Sequence, residues 1–184
     1  QYLGNSTQTT PSNYGNITLQ VDNINTATAI AAGSSHSLAL LSNGTIKSWG
    51  DNSYGKLGNN SITTSLAPVN VSNISNAIAI AAGNNHSLAL LSDGTVMSWG
   101  YNNAGQLGNN SNTNSSIPVL VSNITNAIAI SAGNNYSLAL LSNGTVMSWG
   151  NNFNGQLGNG NNNNSNIPVN VTGISNCIEI SATN

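Results

Sequence analysis

Charge is what this sequence has least of. Two lysines, Lys47 and Lys56, and four acids, Asp22, Asp51, Asp93 and Glu179, make up 3% of its 184 residues and leave a formal net charge of −2. An average soluble domain is about one-quarter charged. So few cations form no patch able to neutralise phosphates, which argues against electrostatic binding of nucleic acid or of an anionic membrane surface. No apolar run approaches the roughly 20 residues of a helical membrane span, so no membrane insertion is expected. A single cysteine, Cys177, excludes an internal disulfide and a cysteine-based metal site. The chain begins at Gln1 without an initiator methionine, as a mature exported product or a portion of a longer chain would.

Asn, Ser, Thr and Gly fill the places that charges usually take. A surface of that kind hardly responds to pH or salt and can pack against copies of itself without desolvating ions. The composition therefore points to an extracellular or cell-surface location and to an assembled state.

What the sequence has in abundance is repetition. The stretch AIAIAAGNNHSLALLSDGTVMSWG, residues 77–100, recurs at a step of 50: Trp49, Trp99 and Trp149, Leu57, Leu107 and Leu157, and Pro68, Pro118 and Pro168 all keep that register. A fixed period over three copies marks a repeat architecture in which each unit buries its apolar face on its neighbours, so the three Trp and three Leu are assigned to the repeat core. The chain reads as one domain over 1–184. Residues 1–33 are an atypical half-repeat, 34–83 and 84–133 are regular repeats, and 134–184 hold the last repeat and a terminal half.

Within a unit, period-two alternation predicts four short strands at 67–71, 77–82, 86–92 and 95–99, the first two forming one hairpin and the last two a second, with no helix. Gly83-Asn84-Asn85 and Asp93-Gly94 supply the turn chemistry between them. In AIAIAA the Ile side chains are expected on one face and the Ala side chains on the other, the Ala face letting sheets approach closely. After each Trp-Gly comes a long polar loop, such as Tyr101 to Ile117, of a length that is usually functional or mobile.

The order Gly-Thr-Val-Met-Ser-Trp-Gly, Gly-Gln-Leu-Gly-Asn, Pro-Val and Ile-Ala-Ala-Gly-Asn-Asn-His-Ser-Leu-Ala-Leu resembles the repeat of the regulator of chromosome condensation family. The resemblance covers nearly the whole chain and implies an all-β fold of β-propeller repeats, with four-stranded antiparallel blades, commonly seven to a ring. The exchange-factor and chromatin roles known in that family use charged surfaces and basic segments that this chain lacks. Secreted members that use the propeller as a rigid binding face are the nearer comparison.

About three and a half repeats give fourteen expected strands, half of a seven-bladed ring, so the array is open unless another chain or further sequence completes it. Ring completion, head-to-tail addition into a filament, and a portion of a longer closed propeller all fit. The ends offer candidate assembly residues: Ile17, Leu19 and Val21 in an extended opening segment able to add a strand to a neighbour, and Cys177 and Glu179, which with Ser181 make the last AIAIAA copy more polar.

No catalytic constellation survives comparison between copies. Asp51 corresponds to Tyr101 and Asn151, and Asp93 to Asn43 and Asn143, so no carboxylate is repeated or paired. His36 and His86 are equivalent but the third copy has Tyr136, a swap that a metal site would not tolerate and a hydrogen-bonded turn would. Neither catalysis nor a cofactor or metal is expected. The other recurrent feature is the acceptor pattern Asn-x-Ser/Thr, at Asn5, Asn16, Asn43, Asn59, Asn70, Asn73, Asn85, Asn109, Asn114, Asn123, Asn135, Asn143, Asn163 and Asn170. Together these features favour a secreted structural protein whose copies join through blade edges into a filament or surface layer. The competing reading is a rigid protein- or glycan-binding module of the adhesin or inhibitor type.

Overall fold

The computed structural model describes residues 21–183 except residue 23. The candidate interface residues Ile17 and Leu19, and the acceptor sites Asn5 and Asn16, lie outside the described residues. Among the described residues there are twelve strands and no helix. The first sheet holds β1 (Ala27–Ala32), β2 (His36–Leu41), β3 (Ile46–Gly50) and β4 (Ser65–Asn70). The second holds β5 (Ala77–Ala82), β6 (His86–Leu91), β7 (Val96–Gly100) and β8 (Ser115–Leu120). The third holds β9 (Ala127–Ala132), β10 (Tyr136–Leu141), β11 (Val146–Gly150) and β12 (Ser165–Asn170). Each is a four-stranded antiparallel sheet whose strands follow chain order. These are propeller blades.

The blades differ from the sequence reading in how the strands are grouped. A hairpin of 67–71 with 77–82 is expected from the repeat, but β4 pairs with β3 and closes the first blade, while β5 opens the second. Pro68, Pro118 and Pro168 explain the choice. Each sits in the outermost strand of its blade, where a residue without an N–H can face the open edge. The chain then crosses to the inner edge of the next blade through a turn with Asn73 or Asn123 at positive φ, and buries Val71 and Ile74, or Val121 and Ile124, on the way.

Two further expectations are corrected. Residues 177–182, read as a strand, form none. Cys177 N–H donates to the Gly144 carbonyl as Ala77 does to Gly44 and Ala127 to Gly94, so the segment starts where an inner strand starts, but among the described residues no second strand pairs with it. In AIAIAA the expected division of faces holds from Ala79 on, where Ala79 and Ala81 face one seam and Ile80 the other. It fails at the start of the strand, where a register shift between Ala77 and Ala79 leaves Ile78 57% exposed.

Two apolar clusters hold the blades together, one per seam. Leu38, Leu40 and Ile46 of the first blade meet Ala89, Trp99, Ile80 and Met97 of the second. Leu88, Leu90 and Val96 of the second meet Ala139, Trp149, Ile130 and Met147 of the third. Strand alternation dictates this: the first two Leu residues of HSLALL point to the following blade, and the Ala between them points to the preceding one. A small residue opposite two large ones lets the sheets interdigitate.

Candidate functional site

The seams carry a polar motif that the repeat pattern did not disclose. In the second blade the Trp99 indole N–H donates to the Lys56 carbonyl of the first blade's loop at 2.9 Å, and the Ser87 hydroxyl donates to the same oxygen at 2.9 Å. In the third, Trp149 and Ser137 do the same to the Gln106 carbonyl, each at 2.9 Å. Gly58 and Gly108 lie flat on the indole rings: a Cβ at Gly58 would come within 2.8 Å of Trp99 Nε1, and the residue is at φ +68°, a left-handed conformation that glycine adopts freely. Trp99, Trp149, Leu57, Leu107 and Leu157 are fully buried and Trp49 is 6% exposed.

The histidines bind the seams from the other side. His36 Nε2 lies 2.9 Å from Ser87 Oγ and His86 Nε2 lies 2.9 Å from Ser137 Oγ. Each serine proton is already directed at a carbonyl, so Nε2 must carry the proton and donate, which leaves Nδ1 as a bare lone pair. Both Nδ1 atoms are buried and have no partner among the described residues. Burial first, then the Lys56 ammonium and His86, pull His36 down to about 3 against the contrary effect of Asp51. Burial pulls His86 down to about 4. Both are neutral structural donors, and Tyr136 takes the equivalent place in the third blade, its hydroxyl accepting from Thr183 N–H at 3.3 Å.

Side chains at the seam differ where the backbone does not. Lys56, 1% exposed, forms an ion pair with Asp51 and donates to Ser35 Oγ at 3.0 Å and Asn85 Oδ1 at 2.8 Å. Burial acts to raise the Asp51 carboxyl, but hydrogen bonds from Lys56 and Ser53 and the Lys56 charge outweigh it and hold it below the ordinary value. At the next seam Gln106 replaces Lys56 and donates to Asn135 Oδ1 at 3.2 Å.

The polar loops are organised rather than loose. Asn52, Asn102 and Asn152 are fully buried. Asn52 Oδ1 accepts from Leu57 N–H, and its Nδ2 reaches Asn59 Oδ1 and the carbonyls of Ser61 and Thr63. Asn102 and Asn152 repeat every one of these contacts in their own loops. The recurrence of Asn two residues after each Trp-Gly was the available signal.

The two ends of the array expose the halves of a seam. On the third blade Ile174 is 44% exposed, whereas Ile74 and Ile124 are buried, and Leu138 and Val171 are half-buried, whereas Leu38, Leu88, Val71 and Val121 are buried. Gly158 lies against Val171 rather than an indole. A cavity of about 300 Å³ opens there between Asn134, Tyr136, Asn154, Gln156 and Thr183. On the first blade Ile30 is 78% exposed, while Ile80 and Ile130 pack into seams. It lines a groove of about 460 Å³ with Val21, Ile24 and Trp49. Val21 thus sits on the exposed first-blade end, and Cys177, its thiol bonded to the Glu179 carbonyl at 3.1 Å, lies with exposed Glu179 on the other. The structure places them at opposite ends.

The acceptor asparagines separate by exposure. Asn43, Asn70, Asn73, Asn114, Asn123, Asn143, Asn163 and Asn170 are exposed, and Asn59, Asn85, Asn109 and Asn135 are half-buried. Among the described residues no cluster of three or more His, Cys, Asp or Glu side chains is placed to hold a metal ion, and no helix is long and apolar enough to cross a membrane.

Three stretches, 43–90, 93–140 and 143–183, match the family model described as the Regulator of chromosome condensation (RCC1) repeat, and a second model of the same description matches 27–56, 77–106 and 127–156. The fold is similar to that of Prp20p from Saccharomyces cerevisiae, solved in a study of its binding to Gsp1p and histones, with 24% identity and a TM-score of 0.73 over 80% of this chain and 38% of that one. The same yeast protein bound to Kap60 matches at 25% identity and a TM-score of 0.73, over 80% and 37%. Human WBSCR16 matches at 27% identity and a TM-score of 0.69, over 77% and 38%. The chain spans less than two-fifths of the length of each of these structures.

Proposed function

Since the chain belongs to the regulator of chromosome condensation repeat family, we propose that it is a non-catalytic protein-binding propeller module whose copies join head to tail through their end blades, outside the cell, as a structural assembly. The observation that carries this is the pair of end faces. Ile174 with Leu138 and Val171 at one end, and Ile30 with its groove at the other, are the two sides of a contact made twice within the chain. Contact between unlike faces is heterologous and extends until it closes or forms a filament. The near absence of charge supports the same reading, since such faces meet without desolvating ions.

The test uses residues exposed in a single copy. Wild-type chain is expected to form species larger than one protomer by light scattering and negative-stain microscopy. Ile30→Asp and Ile174→Asp should each abolish this, and an equimolar mixture of the two variants should stop at dimers, because only one pair of intact faces remains. A wild-type chain that stays monomeric at high concentration would sink the head-to-tail reading.

A second reading is binding of a different protein, supported by the family's solved members, of which Prp20p is described with Gsp1p, histones and Kap60. It would be carried by the loops around Tyr54 and Phe153, the latter 71% exposed, and Phe153→Ala would weaken capture of that partner without altering assembly.

A further inference from the structure

The acceptor asparagines of the sequence are not equivalent in the fold, and two of them stand apart. Asn43 and Asn143 sit at exposed hairpin tips, between β2 and β3 and between β10 and β11. In each, Oδ1 accepts the backbone N–H of the residue two positions on at 3.1 Å and that residue's hydroxyl at 2.7 Å: Thr45 for Asn43, Thr145 for Asn143. The carbonyl side of the carboxamide is therefore held by the turn, while Nδ2 has no partner among the described residues. The half-buried acceptors contrast in burial rather than in bonding. Their Oδ1 atoms are held too, Asn85 by Lys56 and Asn135 by Gln106 inside the seams, and Asn59 and Asn109 by the buried Asn52 and Asn102. These four side chains are half-buried against a seam or within a folded loop, where a bulky glycan on Nδ2 has less room than at the exposed tips of Asn43 and Asn143.

The chain also contains its own control. The middle blade has Asp93 at the equivalent tip, exposed and bonded in the same way, with Thr95 N–H at 3.0 Å and Thr95 Oγ1 at 2.6 Å. A carboxylate satisfies this turn as well as a carboxamide does, so the turn itself does not require the amide nitrogen. At Asn43 and Asn143 that nitrogen is surplus to the fold and available for chemistry.

We propose that Asn43 and Asn143 are N-glycan acceptors, modified on this face of the blades by an oligosaccharyl transferase using a lipid-linked pyrophosphate sugar donor. In the transfer Nδ2 bonds to the anomeric carbon as the bond from that carbon to the pyrophosphate oxygen breaks. The lipid pyrophosphate leaves with the electron pair, the amide gives up one proton to a base on the transferase, and nothing is oxidised or reduced. The inference depends on the export of the chain argued above.

The test is to secrete the full 184-residue chain from a eukaryotic cell behind a cleavable leader and map occupied sites by enzymatic glycan release in heavy-oxygen water. Label is expected at Asn43 and Asn143 and is not expected at Asn59, Asn85, Asn109 or Asn135. The double variant Asn43→Asp with Asn143→Asp should lose two glycan masses and keep its melting temperature. Asp93→Asn, which creates Asn-Gly-Thr on the same turn, should gain one glycan. Unlabelled Asn43 and Asn143 in secreted, folded protein would overturn the proposal, as would occupied Asn85 or Asn135 in such protein. Native material found inside the cell without sugar would overturn the export reading alone, because the secretion experiment reads the acceptor sites independently.

Discussion

The seam between the first and second blades and the seam between the second and third share one backbone and differ in their charges. Both place an indole N–H and a serine hydroxyl on a single loop carbonyl at 2.9 Å, and both place a histidine against that serine. The first adds an ion pair between the buried Lys56 and the half-buried Asp51, where the second has Gln106 and Tyr101. What is constant is the carbonyl; what varies is the side chain that carries it. The seam is built from apolar burial and backbone geometry. The polar head beneath it has only to be paired, since a buried ion pair is no stronger in net terms than a neutral group that fits.

The comparison can be broken most forcefully at the tryptophans. Trp99→Ala and Trp149→Ala should each cost about 3–5 kcal/mol of unfolding free energy by denaturant titration. Equal costs within about 1 kcal/mol would support a shared design, and a much larger loss at Trp99 would mean that the ion pair matters to the seam after all. Next in size, Asp51→Ala should destabilise by about 3 kcal/mol, because it leaves the Lys56 ammonium buried with only neutral acceptors. The pair Asp51→Tyr with Lys56→Gln, which rewrites the first seam as the second, should restore stability to within about 1 kcal/mol of the parent.

A smaller effect comes with pH. The folded values of His36 and His86 lie near 3 and 4, below the unfolded value of 6.5, so the unfolded chain takes up protons first as pH falls. Their contribution is fully present above about pH 6.5 and is lost on acidification towards pH 4. The slope reaches about 2.7 kcal/mol per pH unit for the two together. Asp51 and Asp93 are also held below their ordinary value and act in the same direction at lower pH, Asp93 through its hydrogen bonds from Thr95. His86→Gln should halve the slope between pH 6.5 and pH 4, whatever it does to stability at neutral pH. An unchanged slope would mean that the histidines are not held neutral in the seams.

The fold was legible in the sequence to the level of the strand. The period of 50 located Trp49, Trp99 and Trp149 in the core, and the alternation in HSLALL located the strands that now form β2, β6 and β10. Grouping failed where a repeat has no marked start. A circularly repeating pattern reads the same from any residue, and only Pro68 and its equivalents, confined to edge strands, reveal where one blade stops. The order within the loops was hidden for a related reason. Their length suggested that they are functional or mobile, while one buried Asn per copy, indistinguishable by composition from its many neighbours, supplies the contacts that fix them.

From the sequence alone came the repeat, its period, the all-β class, the core aromatics and the scarcity of charge, because each depends on residue type and spacing along one chain. Tertiary structure decided which serine meets which histidine, which carbonyl receives the indole, which asparagines are free at a hairpin tip and which faces of the end blades are exposed. Those pairings join residues 31, 43 and 51 positions apart across a seam, and no local pattern specifies a partner at that distance until the sheets are packed.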